Sequence, residues 1–219
     1  MVLPFVASLV YFVALPGGPA TQSAYAITKA FTLLWPIVAV LFLLGERLPL
    51  PSLRGPHHRE AIPVGVVAGL CMVAAVYIAL QTPVGEIVGS AGPQIRSKVE
   101  SMGVLDNFWV FALVLSLVNS LVEELYWRWF VYGTLRRVLT RGPALLLGAG
   151  AFSAHHFVVA SGFVDFPWYL AGGMAVFLAG VIWNLMFEKQ RTLVGAWIAH
   201  IVVDLAILWV GYKLLTDVG

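Results

Sequence analysis

Apolar stretches of about twenty residues recur along this chain, and each is long enough to cross a bilayer as a helix. Such repetition leaves few folds open, because a backbone in hydrocarbon must satisfy its polar groups internally. Reading by length and breakers, we expect spans over 2–15, 23–44, 61–80, 108–132, 143–162, 167–187 and 192–215. The first is short and tilts or stops part-way. Pro36 kinks the second, and Pro143 suits the first turn of the fifth. The fold class is thus all-α: a polytopic membrane helix bundle of about seven transmembrane helices. With 60% hydrophobic and 11% charged residues, the chain lies well outside the range of soluble domains.

One membrane domain over 1–219 is expected, with N-terminal helices and loops in 1–106 and a functional core in 107–213. Between the third and fourth spans, residues 81–107 form the longest extramembrane piece, with a short interfacial helix over 94–102. The 45–60 loop holds Arg47, Arg54, His57, His58 and Arg59 and reads as a solvated basic loop rather than a metal site. The lone Cys71 excludes an internal disulfide framework and a multi-cysteine metal site. A net charge of +2 carries no nucleic-acid signal, and no cleavable signal peptide is expected. Arg47, Arg54, Arg59, Arg136, Arg137, Arg141, Lys189 and Arg191 fall on one side, against Arg96, Lys98 and Lys213 on the other. That asymmetry makes the first side cytoplasmic.

The polar residues left at depth are few. Glu123, Glu124 and Arg128 lie on the fourth span, His155 and His156 on the fifth, His200 and Asp204 on the seventh, with Asn119 and Asn184 neutral. An ionised group near a helix centre costs about 2.5–3.5 kcal/mol on insertion scales, so a cluster of them has a use. Glu124 and Arg128 are four apart, in the favoured acid-first order, and share a face. Glu123 lies about 100° round the helix, has Asn119 one turn before it, and is free to act as a general base. His200 and Asp204 share a face in the same way. Counted from their helix ends, Glu123 and His200 both lie roughly 12–14 Å deep from one side, and could meet. Lys29 reads as a snorkelling residue.

Glu123-Glu124-x-x-x-Arg128, Phe152-x-x-x-His156 and His200-x-x-x-Asp204, in that order on separate helices, resemble the CPBP family. That family includes the CAAX prenyl endopeptidases and the bacteriocin-processing and immunity-type (Abi) membrane proteins. The resemblance covers about 107–212. It implies a glutamate-dependent intramembrane endopeptidase with its catalytic core in the last four helices and no metal or other cofactor. Glu123 would activate water with help from His156, and His200 and Asp204 would line an oxyanion site. Glu124, Arg128 and Asn119 would support the base. Asp204 must carry a hydrogen to donate to an oxyanion, or else act by orienting His200. The role of His155 stays open. The implied partners are a peptide or membrane-anchored protein substrate and the lipid bilayer; the implied location is a prokaryotic plasma membrane. Two alternatives keep the helices: a non-catalytic binding or immunity factor with a structural polar cluster, and a metal-dependent membrane protease. Proton-coupled transport lacks the broken helices or inverted repeat it needs.

Overall fold

The computed structural model describes residues 3–14, 18–43 and 56–216, and among these the chain contains helices and no strand. We number them α1 (3–14), α2 (19–43), α3 (Pro56–Leu80), α4 (Pro83–Ser90), α5 (Gly92–Ser101), α6 (Leu105–Val138), α7 (Arg141–Ser161), α8 (Trp168–Gln190) and α9 (Val194–Thr216). Six helices among the described residues are long and apolar enough to cross a membrane: α3, α6, α7, α8, α9 and most of α2. The protein is a multi-pass membrane protein. The short α1 packs against α7 and α2, and Ser8 is fully buried there, its hydroxyl donating to the Phe5 carbonyl at 2.7 Å.

Arg47 and Arg54 of the expected basic loop lie outside the described residues. His57, His58 and Arg59 do not sit in that loop. They form the first turn of α3, whose start at Pro56 places a proline where its missing N–H costs nothing. His58 Nδ1 lies 2.7 Å from Thr192 Oγ1, tying this turn to the start of α9. The interfacial helix expected over 94–102 is α5, and α4 precedes it behind a Thr82 N-cap. Arg96 Nη1 donates to the Leu215 carbonyl at 3.3 Å, so α5 satisfies an otherwise unpaired carbonyl at the end of α9.

Helices in lipid gain little by burying apolar area against one another, so close backbone approach matters more. Gly65 and Gly69, four apart on α3, meet Gly195 and Ala199, four apart on α9. A Cβ on Gly65 would lie 2.5 Å from the Gly195 carbonyl oxygen, and one on Gly69 would lie 2.8 Å from Val202 Cβ. On α8, Gly180 makes similar room for Ala149 and Phe152 of α7. The outward faces carry Ile27, Phe42, Val67, Val110, Leu178 and Trp209, all more than half exposed to what would be lipid.

The long α6 organises the interior. Ala112, Ser116, Ser120, Glu124 and Arg128 are each 0% exposed, a strict four-residue stripe. In a pure α-helix such a stripe drifts about 40° per step. Residues 115–119 and 125–132 are π-helical, and these wider turns hold the stripe facing inward. They also loosen the i→i−4 ladder. Trp197 Nε1 of α9 donates to both the Leu117 carbonyl and Ser120 Oγ at 3.1 Å, and Ser120 Oγ itself donates to the Ser116 carbonyl.

Candidate active site

Glu124 and Arg128 are one turn apart and completely buried, with Arg128 Nη1 3.1 Å from Glu124 Oε1. The guanidinium lies 4.2 Å from the Phe152 ring centroid and 5.0 Å from that of Trp183. Aromatic faces thus meet a cation whose Nε, Nη1 and Nη2 have no hydrogen-bond partner among the described residues. Phe152 comes from α7 and Trp183 from α8, so the pair holds three helices in register. Glu124 Oε1 also lies 2.8 Å from His200 Nδ1 of α9, which adds the fourth. Trp183 stacks on the His200 ring, centroids 4.4 Å apart and planes at 20°, and fixes the plane in which the imidazole turns.

Glu123 faces the other side of this lock. Its side chain is 12% exposed. Asn119 Nδ2 donates to Glu123 Oε1 at 3.0 Å, the i,i+4 contact expected from spacing. Lys29 Nζ of α2 also donates to Oε1, at 2.9 Å. Glu123 is therefore not left without a charged partner, and Lys29 does not snorkel to the surface. Once the helices assemble, an acid 94 residues away offers a nearer counter-charge than the membrane interface. The other oxygen, Oε2, lies 4.0 Å from His200 Nε2, so the two residues expected to meet at similar depth do meet. His200 Nε2 lies 3.5 Å from Asp204 Oδ1, one turn on along α9.

Both histidines of α7 stand beside Glu123. One nitrogen of each ring and one Glu123 oxygen lie within 4.8 Å of one another. His156 Nδ1 is 3.2 Å from the Phe152 carbonyl. A carbonyl can only accept, so this contact puts the hydrogen on Nδ1 and leaves the Nε2 lone pair available. The His155 ring is 8% exposed and lies parallel to Trp127, and its Nδ1 has no hydrogen-bond partner among the described residues. A partly open cavity with about 20 Å³ of space for a water centre is lined by Glu123, His155, Lys29, Thr28, Thr32 and Trp127, among others. That is room for about one water. His155, which the motif spacing does not select, lines this cavity, whereas His156 does not.

The structure brings all seven residues singled out by motif into one region of the bundle. Reading by spacing missed Lys29 and Trp183. Lys29 is the one cation inside the second span, a signal that was present but ambiguous. Trp183 carries no sequence signal among the other aromatics. Asn184, also polar and at depth, belongs elsewhere: its Nδ2 would lie 3.1 Å from a Cβ added to Gly148 of α7. Nearby, Glu188 of α8 receives Arg141 at 2.8 Å, Tyr132 at 3.1 Å and Arg136 at 3.2 Å, and this knot ties the ends of α6, α7 and α8 together.

Compared with known protein families, residues 105–206 match the one described as Rce1-like, type II CAAX prenyl endopeptidase Rce1-like. The match spans all three motifs and runs from the start of α6 into α9; α1 to α5 precede it. Comparisons with curated proteins and with solved structures gave no match.

Proposed function

Taking residues 105–206 as a segment of the Rce1-like CAAX prenyl endopeptidase family, we propose that the protein is a glutamate-dependent intramembrane endopeptidase. The observation that carries this reading is Glu123. It is an acid deep among membrane helices, beside a water-sized cavity, with three imidazoles on neighbouring helices close to its carboxylate. In the proposed reaction Glu123 takes a proton from a water as the water oxygen attacks the scissile carbonyl carbon. The water comes from the cavity that His155 borders, and His156, with a ring nitrogen within 4.8 Å of a Glu123 oxygen, orients it where it meets the carboxylate. Negative charge gathers on the former carbonyl oxygen, where His200, oriented by Glu124, Asp204 and Trp183, stabilises it. The C–N bond then breaks and the proton held by Glu123 passes to the leaving amine, giving a carboxylic acid and a free amine. Glu124 and Arg128 keep α6 in the rotation that this requires, and Asn119 fixes one Glu123 oxygen.

The substrate is a peptide or membrane-anchored protein with its scissile bond in or next to the bilayer. The protein acts in a prokaryotic plasma membrane with its basic loops cytoplasmic, and 107–213 is the catalytic part of a single membrane domain. Co-expression with membrane-anchored candidate substrates tests this. A mobility shift seen with the wild type should vanish with Glu123→Gln and with His200→Ala, while both variants still insert and fold. Cleavage persisting in both would sink the assignment.

The cluster of Glu123, His155 and His156 also favours a second reading, a metal-dependent protease, because two imidazoles and a carboxylate are a common zinc donor set. The ammonium of Lys29 at 2.9 Å from the same carboxylate weighs against it, since a second cation there would meet direct repulsion. Loss of cleavage on chelation, restored by zinc, would favour this reading over the first.

A further inference from the structure

We propose that Lys29, on a helix outside the family-matched segment, is a positioning residue that selects which oxygen of Glu123 receives the proton. The proposal rests on the reading of Glu123 as the base. Glu123 Oε1 accepts two hydrogen bonds, from Lys29 Nζ at 2.9 Å and Asn119 Nδ2 at 3.0 Å. A carboxylate oxygen has two lone pairs in the plane of the group, so two donors fill it. Oε2 is the oxygen that faces His200, at 4.0 Å, and it is left to accept a proton. Asn119 shares a helix with Glu123 and can hold only a contact that moves with α6. Lys29 comes from α2 and ties the carboxylate to a second helix.

The geometry gives α2 a stake in the chemistry. The cavity beside Glu123 is walled on one side by Thr28, Lys29 and Thr32. The two threonines donate to carbonyls of their own helix, Ala24 at 2.8 Å and Lys29 at 3.0 Å. Lys29 is thus the side chain of that wall that reaches the acid.

The test uses the full-length protein and a quenched-fluorescent farnesylated Cys-aliphatic-aliphatic-X peptide. Lys29→Met should lower kcat about 10- to 100-fold with KM changed less than about twofold, and Lys29→Arg should recover kcat to within about threefold of the wild type. Where Lys29→Met does not fold, Lys29→Gln is read in the same way. A kcat at or above the wild-type value in the neutral variant, or a loss confined to KM, would overturn the proposal. Glu123→Gln run alongside separates the two claims: its retained cleavage would refute the base itself, whereas its inactivity with Lys29→Met unchanged would refute only the role of Lys29. A substrate-free check is a cycle of Lys29→Met and Glu123→Gln read by thermal unfolding in detergent. Non-additive shifts support the pairing, and additive ones overturn it.

Discussion

His200 Nδ1 and Glu124 Oε1 lie 2.8 Å apart, 76 residues distant in sequence, and this contact joins α9 to the buried Glu124–Arg128 pair of α6. Glu124 is therefore more than a partner for Arg128. It is the group through which the rotation of α6 sets the orientation of the His200 ring, and with it the direction of Nε2 toward Glu123 and Asp204.

Because the Glu124–Arg128 pair is wholly buried, removing either member leaves an uncompensated charge. Glu124→Gln or Arg128→Met should each destabilise the fold by about 3–5 kcal/mol. The double variant should lose less than the sum of the two, since it removes the orphaned charge along with its partner. Thermal unfolding in a mild detergent measures all three, and strict additivity would contradict the lock.

The α3–α9 contact depends on missing side chains. Gly65→Leu and Gly69→Leu should push the helices apart and markedly lower the unfolding temperature, because the crowded atoms include α9 backbone. Gly211→Ala, on the same α9 but with nothing within 4 Å of the added methyl, should be neutral or stabilising by about 0.5–1 kcal/mol. Unfolding temperatures unchanged or raised in Gly65→Leu and Gly69→Leu would show that close backbone approach does not hold α3 to α9.

Cleavage should survive exhaustive chelation, and purified protein should carry far less than one equivalent of transition metal by mass spectrometry. Stoichiometric zinc removed together with activity would instead establish Glu123, His155 and His156 as ligands.

The Glu188 knot lies near the basic ends of the helices and is partly exposed. Glu188→Gln should cost about 1 kcal/mol or less, since screened ion pairs contribute little, and should leave the cleavage rate unchanged. A loss of activity without a loss of stability would mean that the end of α8 reports on the site.

The sequence by itself determined the class of fold. Recurrent apolar runs of membrane-crossing length, broken by charged turns, admit little other than a helix bundle, whichever helix touches which. It also determined the contacts between residues one turn apart. Glu124 with Arg128, Asn119 with Glu123 and His200 with Asp204 follow from helical spacing, because the helix itself places those side chains together. What spacing could not decide is how each helix is rotated about its axis. In a membrane both the lipid face and the packed face are apolar, so the hydrophobic pattern that marks the inner side of a soluble helix is nearly silent here. The tertiary structure decided that rotation through close packing of glycines, π-helical turns in α6 and the buried arginine in its aromatic box. Those rotations bring Lys29 to Glu123, His200 to Glu124, and His155 as well as His156 to the same carboxylate. Each of these pairings is long-range, so no local periodicity announces it.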